Sequence, residues 1–145
     1  MNAMNPNATV AQLYHLLIYA DGRLDKNEIR MGKKLIEIEQ LNEELFNEEV
    51  QRLETLTKSK GITQKALFSG CVQVLNKLEK KVQIRYIAWM CAIANSDGFM
   101  DKEEWKLIYR LYHNELKLPL EDIMDEHRKI NQQVKGEIWR AQGVA

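Results

Sequence analysis

Two prolines and seven glycines in 145 residues leave little material for hairpins, sheet turns or flexible linkers. Helices are therefore the expected element throughout. Cysteine is equally scarce: Cys71 and Cys91 stand without a CxxC spacing or an adjacent histidine cluster, which excludes a disulfide scaffold and leaves them as small apolar core residues of a reducing compartment. Charge of one sign is missing too. The 21 basic and 21 acidic side chains cancel, so no global field draws the chain to nucleic acid or anionic lipid. Nor is there a long hydrophobic run, since the stretch from Tyr86 to Ala94 has nine residues where a membrane span needs about twenty. Residues Met1 to Val10 hold no basic segment followed by an apolar one, so no secretion is signalled and the cytoplasm is the expected compartment.

What is present is ordinary globular composition, 45% apolar and 29% charged, and a length that fits one domain over residues 1–145. The chain also matches itself. Asp21, Gly22, Arg23, Leu24, Asp25, Lys26, Asn27, Glu28 and Ile29 align without gaps onto Asp97, Gly98, Phe99, Met100, Asp101, Lys102, Glu103, Glu104 and Trp105, an offset of 76. At the same offset Val10, Leu13 and Leu17 fall on Tyr86, Trp89 and Ile93, and after a slip of two residues the segment Glu43 to Glu48 falls on Glu121 to Glu126. Blocks matching in one order define two tandem units, about residues 8–58 and 80–134.

Helical spacing places these blocks on elements. A first helix over residues 8–20 carries Val10, Leu13, Leu17 and Ile18, with Gly22 suited to a left-handed residue past its end. A second begins at Asp25, where Asp25 and Glu28 form the reciprocal capping arrangement, and turns Ile29, Leu35 and Ile36 inward. A third starts near Asn42 and presents Leu45, Phe46, Val50, Leu53 and Leu56; a fourth starts near Thr63 with Leu67, Cys71, Val74, Leu75 and Leu78. The fifth, residues 80–95, is apolar nearly all round and is the expected central element, paired with the first. Asp101 with Glu104 opens the sixth, whose inner face is Trp105, Ile108, Leu111 and Tyr112; Pro119 falls in the first turn of the seventh, which runs through Ile123, Ile130 and Val134. Beyond Lys135, Ile138 and Trp139 are available to dock the tail. The fold class is all-α: a compact bundle of about seven helices with an internal repeat.

One acidic motif has a second reading. Counting a twelve-residue calcium loop from Leu17 to Glu28 puts Asp21, Gly22, Leu24, Asp25 and Glu28 at suitable positions, whereas positions one and three are Leu17 and Tyr19, and in the second copy Ile93 and Asn95. Each copy is half an EF-hand. The candidate metal ligands are therefore Asp21, Asp25, Glu28, Asp97, Asp101 and Glu104, able to share one divalent cation, calcium or magnesium, if the turns meet. Without an ion the same residues simply end one helix and cap the next. A metal-dependent enzyme built on the paired carboxylates is the alternative and requires a deep pocket converging on Asp21, Asp25, Asp97 and Asp101. His15, His113 and His127 lack an HExxH or nucleophile pairing, and no phosphate-cradling glycine loop or GxSxG elbow occurs. The basic run Lys77, Lys80, Lys81 and Arg85 reads as a solvated helix face; a nucleic-acid surface would need it to join Lys58, Lys60 and Lys65.

An apolar helix ending in Ala20, Asp21, Gly22 and Leu24, followed by Asp25 and Glu28, with a second copy at Asp97, Gly98, Asp101 and Glu104, resembles the tellurite-resistance TerB-like family over about residues 8–134. The resemblance implies a helical domain of about seven helices with pseudo-twofold symmetry, no established catalytic activity, and a link to bacterial stress responses. It further implies a cytoplasmic interaction or sensor module that binds another protein, with divalent cations held at the acidic turns in some members. Ser96 stands where the first copy has Ala20.

Overall fold

Asp25, Thr63 and Asp101 each take an extended backbone and lend a side-chain oxygen to the amides of the turn that follows, which starts a helix. These caps punctuate a computed structural model that describes residues 6–20, 25–59, 61–96, 98 and 100–141, with side chains described from 7 to 136 within those ranges. The helices are α1 (Pro6–Ile18), α2 (Lys26–Ile38), α3 (Glu43–Ser59), α4 (Gln64–Leu75), α5 (Lys80–Ala94), α6 (Lys102–Tyr109) and α7 (Leu120–Ala141). Helix α6 runs on into a π-helical turn, Arg110–Glu115. Among the described residues there is no strand, and no helix is long and apolar enough to cross a membrane.

Helix α5 is the centre of the core, with every residue from Ile87 to Ala94 buried. It packs most extensively against α7 and also touches α1, α2 and α6, while α1 lies mainly on α3 and α4. The first and fifth helices are thus in contact and both buried, but each has another helix as its main neighbour, a correction to the expected central pair. Polar stitches fix the arrangement. Gln83 on α5 donates to the Leu75 carbonyl at the end of α4 at 2.7 Å, giving a buried carbonyl at the helix end a partner. Arg85 bonds Glu39 and Glu126 and so ties α5 to the end of α2 and to α7.

The buried face of α2 is Glu28, Gly32, Leu35 and Ile36, and α6 with its π turn buries Glu104, Ile108, Leu111 and Tyr112, the same positions at the offset of 76. This corrects one expectation at both helices. Ile29 and Trp105, read as inward, are 37% and 39% exposed. The physical reason is that the capping glutamate takes the inner position, and the next residue is turned about 100° away from it. Leu45, read as facing inward on α3, is 44% exposed, while its neighbour Phe46 is buried.

Helix α2 ends in a Schellman arrangement in which Leu41 N donates to the Ile36 carbonyl at 2.9 Å and Gln40 N to the Glu37 carbonyl at 3.2 Å. Gln40 there occupies the left-handed region at φ 56°, a place usually given to glycine. The π turn on α6 was not expected from spacing. It lies in the interval where the self-match slips by two residues, and a wider turn takes in added chain without breaking the helix. Pro119 sits immediately before α7 rather than inside its first turn. Helix α7 continues to Ala141, while the side chains of Ile138 and Trp139, expected to dock the tail, lie outside the described residues.

Candidate functional site

The two acidic helix starts are built alike. Asp25 Oδ1 accepts from Asn27 N at 2.7 Å and Glu28 Oε1 accepts from Asp25 N at 3.3 Å. At the second start Asp101 Oδ2 accepts from Glu103 N at 2.9 Å and Glu104 Oε1 accepts from Asp101 N at 3.3 Å. Both are complete capping boxes. In each pair the aspartate is half-buried and the glutamate buried, Glu28 at 5% and Glu104 at 2% exposure. The Glu28 charge reaches a neighbour: burial, and then Glu28, push the Tyr14 hydroxyl up to about 12.

Helices α1 and α5 run on through the positions where a calcium loop would begin. Leu17 and Ile93, at its first position, are buried hydrocarbon at 0% and 2% exposure and offer no oxygen. Asn95 closes α5, its side-chain amide donating to the Cys91 carbonyl at 3.1 Å. Gly98 then takes φ 105°, a conformation that favours glycine, and donates to the Asn95 carbonyl at 2.9 Å. Of the six candidate ligands, Asp25, Glu28, Asp101 and Glu104 are therefore placed, each with a cap hydrogen bond. Asp21 and Asp97 lie outside the described residues, as does Gly22. Among the described residues no group of three or more His, Cys, Asp or Glu is disposed to hold a metal ion.

Chemistry of other kinds has little to stand on. Neither Asp25 nor Asp101 lines the recesses of about 440 and 590 Å³, which are walled by other residues. Burial pushes the Cys71 and Cys91 thiols up to about 12, so both are protonated and poorly nucleophilic. His15 is buried against the Tyr19 ring, with centroids 4.5 Å apart, and neither of its nitrogens has a hydrogen-bond partner among the described residues. The basic run is divided: Lys77, Lys80 and Lys81 are exposed, as expected for a solvated face, whereas Arg85 turns to Glu39 and Glu126 and adds nothing to a polyanion surface.

A family model described as tellurite resistance protein TerB matches residues 7–130. Proteins of that domain family are not a known class of enzyme. No curated protein and no solved structure matches the chain.

Proposed function

The chain belongs to the TerB family of tellurite-resistance proteins, and from that premise we propose a non-enzymatic, cytoplasmic, stress-associated module that binds another protein and responds to a divalent cation. The cation, calcium or magnesium, is held weakly at the acidic turns by Asp21, Asp25, Glu28, Asp97, Asp101 and Glu104. The observation that carries this reading is the matched pair of helix starts, with the same cap contacts to within a few tenths of an ångström in both units. Burial at corresponding positions of α2 and α6 supports, in the same way, the reading of the chain as two repeated units. Affinity is weak because hydrocarbon fills the first ligand position of each half loop, and a good calcium site takes about six to eight oxygens.

The test separates cap from ligand. Asn caps a helix about as well as Asp, so Asp25→Asn with Asp101→Asn should cost only a few tenths of a kcal/mol as caps. As ligands, the same two changes should abolish most cation binding. A ligand at about ten times Kd stabilises the folded state by about 1.4 kcal/mol. Thermal unfolding of both proteins with and without millimolar calcium or magnesium, at matched ionic strength, reads the difference. An ion-specific rise in wild type that is missing from the variant supports the site; no rise in wild type leaves the acidic turns as caps alone. The interaction is tested by capture of a partner that wild type retains in calcium and releases to chelator. Retention unaffected by chelator would separate partner binding from the cation.

A further inference from the structure

Helices α1, α4 and α6 enclose an open groove of about 440 Å³, and none of Asp25, Glu28, Asp101 and Glu104 is among its lining residues. Its floor is hydrocarbon from Leu16, Phe68 and Leu107, and its rim carries Lys65, Lys106 and Arg110. One carboxylate, Glu103, lies among these cations, and it already pairs with Lys106 at 3.6 Å. Lys65 and Arg110 have no carboxylate partner among the described residues. Arg110 is nevertheless positioned, its Cζ 4.4 Å from the Phe68 ring centroid, an arrangement that holds the guanidinium at the groove edge with its N–H donors directed elsewhere. Helix α4 adds to the same field. Gln64 and Lys65 are its first residues and its first turn contains no acidic side chain, so the positive end of the helix is uncompensated there.

In a chain whose charges cancel overall, the described residues give a local surplus of positive charge around an apolar floor. Its complement is a segment that is apolar at its centre and acidic at its flanks. We propose that the groove docks such a segment of a partner protein, with a large apolar side chain on Leu16, Phe68 and Leu107 and flanking Asp or Glu residues meeting Lys65, Lys106 and Arg110. The volume lies within the range of ligand-binding pockets, and the groove is open to solvent, so a side chain of a partner segment can enter it. The proposal rests on the interaction reading above and gives that partner a chemistry.

The experiment pans a random-peptide phage library on the wild-type protein, with Lys65→Glu plus Arg110→Glu as counter-selection. Both side chains are exposed, and circular dichroism with thermal unfolding confirms that the variant folds; Lys65→Gln plus Arg110→Gln replaces it if it does not. Enriched peptides should share an apolar residue flanked by acidic ones, bind wild type at least about tenfold tighter than the variant, and weaken with added salt. In amide spectra they should shift Leu16, Phe68 and Leu107. A neutral or basic consensus, equal binding to both proteins, shifts elsewhere, or no selective peptide overturns the proposal. A small aromatic carboxylate that saturates the same resonances while no peptide is enriched assigns the groove to a metabolite-sized anion and overturns it equally. If the charge-reversed protein keeps the chelator-sensitive partner, the groove assignment fails while the interaction module stands; if wild type captures no such partner, that broader reading fails by itself.

Discussion

Arg85 and Glu39 meet at 2.6 Å across the interface of α5 with the end of α2, each side chain about four-fifths buried. The contact is the centre of a larger network. The Arg85 Nη1 donates to Glu126 at 2.9 Å, its Nη2 donates to Gln133 at 2.9 Å, and Glu39 Oε2 also accepts from the Trp89 indole at 2.8 Å. One guanidinium therefore balances two carboxylates from two other parts of the chain.

Removing that guanidinium should be costly because it strands both acids. Arg85→Met keeps the apolar stem and is expected to lose about 2 kcal/mol, below the full cost of a buried pair because the site retains some solvent. Adding Glu39→Gln, which keeps an acceptor for Trp89, should restore part of the loss. Denaturant titration of the two single variants and the double variant measures this coupling. A loss under about 0.5 kcal/mol for Arg85→Met would mean that α5 and α7 are held together by apolar packing alone.

How much of this was legible beforehand follows the range of each interaction. The helix starts at Asp25, Thr63 and Asp101 were readable because a cap is made within three residues of itself. The all-helical fold and the burial of Cys71, Cys91, Leu17 and Ile93 followed from spacing. Ile29 and Trp105 misled for the opposite reason: an apolar side chain next to a charged one normally claims the interior, and only the buried capping contact of Glu28 and Glu104 reverses that order. The partners of Arg85 lie 46 and 41 residues away, and the groove takes its walls from three helices. No local pattern encodes either of these. Two of the six candidate ligands at the acidic turns, Asp21 and Asp97, fall outside the described residues.

A second prediction concerns acid. His15 lies below the ordinary imidazole range because burial disfavours its charged form, with Glu54 pulling weakly the other way, and His127 lies below it through burial. A histidine whose folded pKa is depressed leaves stability undiminished above the unfolded value of about 6.5. As pH falls below that value the unfolded chain takes up protons first, and stability drops until the folded-state pKa is passed. Each histidine contributes a slope of at most about 1.4 kcal/mol per pH unit. His15→Phe, which keeps a ring against Tyr19, should flatten the decline between pH 6.5 and 5.5 when unfolding midpoints are compared; an unchanged slope would remove His15 as a contributor.

Gly32 supplies a third. It faces α1 from the inner side of α2, and a Cβ added there would lie 2.9 Å from Tyr14 Cε1. Tyr14 has limited freedom to yield, since its ring tilts onto Phe46 with centroids 5.5 Å apart. Gly32→Ala gains about 1 kcal/mol of helix propensity but overpacks this contact by about 1–3 kcal/mol, for an expected net loss of about 1 kcal/mol. In a Tyr14→Leu background the ring is gone and the same substitution should become stabilising. If Gly32→Ala stabilises the otherwise unmodified chain, α2 can move away from α1 at little cost.

The two thiols give the chain an internal clock. Cys71 on α4 and Cys91 on α5 are 0% and 1% exposed, so a thiol reagent added to the native protein has nothing to attack until a helix detaches. The labelling rate at each sulfur then counts openings of the element that covers it. Because Cys71 belongs to the helix between α3 and α5 and Cys91 to the central one, the order of their modification records whether the connecting helix lifts away alone or only when the whole bundle comes apart.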